Sequence, residues 1–255
     1  MAPRDKLRDY KLYWFGPGGH ESHRKMGGLN VLSMHIGQAL RNANAVTSPT
    51  AHEIHIGFCI DPKPLELFAR HRKTTWLHLV RNYRELEALS FSASNAEIGE
   101  FAIEIAKDLQ AQIAASSGLI DGFPFAAMDQ AIETFRSEGY AFTPRPSPMR
   151  PFDASPLKAK FFTTGNCLET KVAMAFFLGR EELHRRDVAT LAAGAFDTAK
   201  YLSSFDLYDS EIKLLSMDVA RPSPIIRYAD LPDEVRQHLP SNEQLHAAWG
   251  TPTPS

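Results

Sequence analysis

Apolar positions along the first third of the chain keep two rhythms. YKLYWF (10–15), HEIHIGFCI (52–60) and TTWLHLV (74–80) are short, rich in aromatic and β-branched residues, and bounded by glycine, proline or charge, so each predicts a strand. Between the first two, Leu29, Leu32, Ile36 and Leu40 recur at three- and four-residue spacing, which predicts a helix over 29–42. PLELFARHR (64–72) predicts a short helix with Pro64 in its first turn. ELEALSF (85–91) predicts a further strand.

The clearest local signal is 95–115. Ser94 followed by Glu97 forms a capping box, and Ile98, Phe101, Ile105 and Leu109 share one helical face. A second amphipathic helix over 124–137 presents Phe125, Met128, Ile132 and Phe135. Joined through SGLIDGF, the two predict an antiparallel helix pair. TPRPSPMRPFDASP (143–156) then interrupts with five prolines, which cannot continue a helix or a central strand. Beyond it the pattern predicts a strand near 158–163, helices near 166–178 and 181–204, and a strand at 211–219. The fold class is α+β: a β-α-β-rich N-terminal half and a smaller α/β C-terminal half. The expected organisation is a domain over 1–142, a proline-rich linker or arm over 143–156, an α/β region over 157–250 and a flexible tail over 251–255.

Composition narrows the function classes. Formal charge is −2 over 255 residues, so no basic excess draws the chain to phosphate backbones, which counts against a nucleic-acid partner. No run approaches the roughly 18–20 apolar residues that span a bilayer. The opening MAPRDKLRDYKLYWFG lacks the apolar core of a signal peptide, and two cysteines make no disulfide scaffold, so a reducing cytoplasm is the expected compartment.

TTGNCLETK (163–171) holds one of those cysteines and has two readings. In one, Gly165-Asn166 is a hairpin turn and Leu168, Thr170, Val172, Met174 and Phe176 alternate onto a core. In the other, Asn166 caps a helix, Glu169 reaches back from its third position, and Gly179 ends it. The helix is preferred. It would place Cys167 where unpaired N–H groups favour a thiolate. Gly165-Asn166-Cys167 resembles the nucleophile opening of some papain-like cysteine hydrolases. That resemblance implies a histidine on a later strand, with Cys167 and Glu169 as candidate site residues of a thiol-dependent hydrolase or transferase. EIKLLSMDVA carries no histidine, and His184, His238 and His246 fall in helical or terminal segments. Cys-x-Glu also suggests the zinc deaminases, but the Pro-Cys-x-x-Cys that completes their metal site is missing.

Seven of the ten histidines fall between residues 20 and 78. On a strand, Glu53 and His55 point the same way, and with His52 and with His78 from a neighbouring strand they form a candidate zinc site. His55 and His78 are also similar to the paired His-x-Thr/Ser strands of two-histidine phosphoesterases, although Gly57 and Val80 stand where the hydroxyls belong. The β-α-β start with His35 on its helix resembles ferredoxin-like ribonucleases that process guide RNA. GPGG (16–19) lacks the spacing of a phosphate loop.

No nucleophile–base pair or ligand set is complete. The leading expectation is a non-enzymatic protein that binds a protein partner, of which a toxin-neutralising immunity protein is one example, and that needs no cofactor. Met149 and Phe152 in the proline segment are its candidate anchors.

Overall fold

The computed structural model describes residues 9–14, 20–43, 51–70, 74–89, 92–116, 123–196, 199, 202, 204–208, 210–215 and 223–249. Helices and strands are both abundant, which makes the chain a mixed α+β protein. It divides into two units. The first comprises Met1–Phe142 with Gly165–Glu169 and Ala192–Gly194; the second comprises Thr143–Thr164, Thr170–Leu191 and Ala195–Ser255. The tail expected over 251–255 lies outside the described residues.

In the first unit, β1 (Asp9–Trp14), β2 (Ala51–Cys59), β3 (Lys63–Arg70) and β4 (Thr74–Asn82) form a sheet of order β1-β2-β4-β3. β1, β2 and β4 run parallel, and β3 is antiparallel to β4. α1 (His20–Ala43) is the crossover between β1 and β2. Its expected stripe of Leu29, Leu32, Ile36 and Leu40 is fully buried, as are Ile54, Ile56, Phe58 and Leu77 of the sheet. Burying each such side chain stabilises the unit by about 1.5–3 kcal/mol. α3 (Asn95–Ala115) begins at the Ser94–Glu97 capping box and buries Ile98, Ile105 and Leu109, while Phe101 stays half-buried. α4 (Phe125–Ser137) buries Met128, Ile132 and Phe135. The two helices run antiparallel, since Glu100 bonds Arg136 and Gln110 bonds Asp129. Glu100 accepts from Arg136 Nε at 2.8 Å and from the Tyr140 hydroxyl at 2.7 Å. Those bonds hold its carboxyl down to about 2.

Two expected elements exchange type. Residues 64–72 were expected to be helical, but Lys63–Arg70 is a strand because Leu65 and Leu67 alternate and β4 offers an edge to pair with. Residues 85–91 were expected as a strand, but α2 (Tyr83–Ala88) is helical. Asn82 Oδ1 accepts from the Arg84 N–H at 3.0 Å while Glu85 Oε1 accepts from the Asn82 N–H at 3.3 Å, a cap that nucleates the turn. Arg81, largely buried, bridges this turn to α3 through Glu85 at 2.6 Å and Asp108 at 2.9 Å.

The second unit is largely antiparallel β. β6 (Arg150–Pro151) pairs with β7 (Leu157–Asn166), which continues into β8 (Glu169–Leu178) and β9 (Glu181–Ala192). β5 (Ala141–Phe142), in the first unit, pairs with Gly165 and Asn166 at the end of β7. β10 (Phe205–Tyr208), β11 (Glu211–Leu214) and β12 (Ile225–Arg227) form a second antiparallel sheet, and α5 (Asp233–Arg236) and α6 (Asn242–Trp249) follow. The helices expected at 166–178 and 181–204 are therefore corrected to strands over Glu169–Leu178 and Glu181–Ala192. Helix-forming alanines yield here to packing: Val172, Met174 and Phe176 alternate into one core with Leu157, Leu207 and Ile212. Gly179, at φ +63, opens the two-residue turn between β8 and β9 where a helix stop was expected. The proline segment belongs to this unit, with the Ser147 N–H donating to the Phe161 carbonyl and Arg150–Pro151 paired with Lys158–Ala159.

Candidate partner-binding groove

Cys167 lies in a hairpin turn, not at a helix start. Asn166 Oδ1 accepts from the Leu168 N–H at 2.8 Å and the Glu169 N–H at 2.9 Å. A helix cap would use the same acceptor on equivalent donors, so the Asn166–Glu169 spacing fits both shapes. The thiol is 1% exposed and donates to the Tyr140 carbonyl at 3.7 Å, and the Cys167 N–H donates to Asn95 Oδ1 at 2.8 Å. Burial pushes the thiol up to about 12. Folding thus favours the neutral thiol: its contribution to stability is complete below the thiol's ordinary pKa and is lost as pH rises toward 12. At pH 8 only about one thiol in ten thousand is ionised in the fold. Iodoacetamide at pH 8 is therefore expected to alkylate the half-exposed Cys59 and spare Cys167 until urea unfolds the chain, read by peptide mass spectrometry. Alkylation of Cys167 at the Cys59 rate in the native protein would contradict this burial. His35, also buried, donates from Nε2 to the Ala141 carbonyl at 2.7 Å, and Glu138 is 3.8 Å away. It ties α1 to β5.

The histidine-rich strands do come together in part. Parallel register sets His55 beside His78, and antiparallel register sets Glu66 opposite His78. Glu53 shares the face, with Oε2 2.6 Å from His55 Nε2. Burial lowers the His78 pKa; Glu66 opposes that and Lys63 adds to it. Among the described residues no group of three or more His, Cys, Asp or Glu side chains is arranged to hold a metal ion, and the His52 side chain lies outside them.

Of the two expected anchors, Met149 is 39% exposed, but Phe152 is corrected from surface to core at 2%. Its ring packs 4.8 Å from Phe205 and 5.9 Å from Phe176, because its N–H donates to the Leu157 carbonyl and turns the side chain inward. Beside it, a groove of about 420 Å³ runs between Arg150, Pro151 and Asp153 on one wall and β10 on the other, with Trp249 at its rim. Tyr208 and Trp249 are 47% and 45% exposed. Asp206 faces Lys213 across the ladder, yet the Lys213 ammonium lies over the Tyr208 ring at 5.9 Å instead of pairing with it. Among the described residues the Asp153 and Asp206 carboxylates make no hydrogen bond or ion pair. Sequence reading missed Tyr208, Asp206 and Trp249. The alternation in FDLY-DS-EIKL, with a two-residue turn between its halves, was the available signal.

No helix among the described residues is long and apolar enough to cross a membrane. Compared with known proteins, the chain matches no family model, no curated protein sequence and no solved structure.

Proposed function

We propose that the protein acts by binding a protein partner through the groove between Arg150–Asp153 and β10. The observation that supports this reading is the pairing of two half-exposed aromatic rings, Tyr208 and Trp249, with two carboxylates that have no partner of their own. Aromatic rings flanking polar groups that await a complement are what concentrate binding energy in protein interfaces. Neutralising a toxin, as immunity proteins do, is one way to use such a surface. The test is photo-cross-linking in the native cell, with p-benzoylphenylalanine at position 208 of the full chain and, as a control, at the exposed Glu87 of α2. A discrete protein adduct is expected from position 208 only. Trp249→Ala should weaken its capture by about thirtyfold, the effect of losing an aromatic anchor worth about 2 kcal/mol. Equal adducts from both positions, or none, would remove the groove from consideration.

A further inference from the structure

We infer that the groove takes an extended segment of its partner as an added strand on β10, with a lysine or arginine two positions from a large apolar residue. This rests on the partner-binding reading above and specifies its chemistry.

The backbone sets the mode. The Leu215 N–H donates to the Ser204 carbonyl at 2.8 Å, and the register pairs Phe205 with Leu214. Hydrogen-bonded pairs alternate along an antiparallel ladder, so Asp206 and Tyr208 bond toward β11 while Phe205 and Leu207 turn their N–H and C=O groups to the outer edge. Among the described residues no strand pairs with that edge, and it forms one side of the groove. An occupant that satisfies two donors and two acceptors at this spacing must itself be extended and carry N–H groups.

The side chains set the sequence. Asp206 and Tyr208 are two apart and share the exposed face of β10. A strand laid beside them presents its own i and i+2 residues to the same two neighbours. Asp153 lines the same groove as Asp206, so the position beside Asp206 takes a cation. The position beside Tyr208 and toward Trp249 takes an apolar or aromatic side chain. Arg150 lines the groove and the Lys213 ammonium lies over the Tyr208 ring, yet neither pairs with Asp206, whose carboxylate is left for an incoming cation.

Random octapeptides displayed on phage, selected on the full chain and in parallel on Asp206→Lys, test the inference. The wild-type protein should enrich Lys or Arg two positions from Phe, Tyr, Trp, Leu, Ile or Met. The exposed Asp206→Lys variant, with an unchanged melting midpoint, should favour Asp or Glu at the first of these positions. N-methylating a backbone N–H that faces β10 in a selected peptide should weaken binding about tenfold, the loss expected for one buried hydrogen bond. No enrichment at that spacing, or the same preference in Asp206→Lys, overturns strand addition. If position 208 still cross-links a protein in that event, the partner-binding reading stands without it; if cross-linking fails as well, both fall.

Discussion

Gly27→Ala lowers the thermal midpoint by about 6–12 °C, whereas Gly37→Ala, ten residues along the same helix, raises it slightly. The difference lies in what each new methyl group meets. At Gly27 an added Cβ would stand 2.2 Å from the Ala193 carbonyl oxygen, and a Cβ on Gly194 would stand 2.4 Å from the Gly27 carbonyl oxygen. Neither backbone can yield without the other moving. Gly28 repeats the pattern against the Cys167 carbonyl at 2.4 Å. Overpacking of this kind costs about 1–3 kcal/mol, with rigid backbone neighbours at the upper end. Each kcal/mol moves the midpoint of a chain this long by about 2–4 °C. At Gly37 the nearest atom is the far end of the Arg41 side chain at 3.4 Å, in ordinary van der Waals contact and not rigid backbone. Removing a glycine there contributes about 0.5–1 kcal/mol through the unfolded chain. Thermal scans by circular dichroism decide it: equal midpoints for the two variants would mean that Ala193 does not approach α1 as described.

Phe152→Ala is expected to cost about 3–5 kcal/mol, while Met149→Ala, three residues earlier, changes stability by less than about 0.5 kcal/mol. The Phe152 ring is wedged between Phe205 and Phe176 at the centre of the second unit's core, so its removal leaves a cavity bounded by strands of both sheets. β-sheet backbone collapses little around such a void. Met149 is 39% exposed and removes little apolar area when truncated. Urea denaturation separates the two, and a wild-type midpoint for Phe152→Ala would show that the ring does not fill the core.

Legibility followed the range of the interactions involved. α3 and the apolar stripe of α1 could be read because cap, spacing and burial agree within one segment. β8 and β9 could not, because Ala173, Ala175 and the Asn166–Glu169 spacing suit a helix locally and only distant partners such as Leu207 and Ile212 make extended chain the better arrangement. Lys63–Arg70 is a strand for the same reason, with β4 as the distant partner. α2 is the opposite case: its Asn82–Glu85 cap was present in the sequence and was outweighed by the apolar residues after it. Of the candidate site residues, His55 and His78 could be placed side by side because strand periodicity carries across a parallel ladder. Phe152 was misplaced because proline content describes the backbone and says nothing of which way one ring turns. Tyr208 and Trp249 meet in one groove across forty residues of chain, and no local pattern encodes that meeting.

The first unit is discontinuous: Gly165–Glu169 and Ala192–Gly194 belong to it although most of the chain after Phe142 does not. Those are the segments whose carbonyls rest on Gly27 and Gly28. A recombination event that exchanges the coding sequence for residues 1–142 would leave both inserts behind and bare the small-residue surface of α1. Residues 1–142 are thus no portable module, since the unit they dominate is completed by two short inserts that the rest of the chain carries.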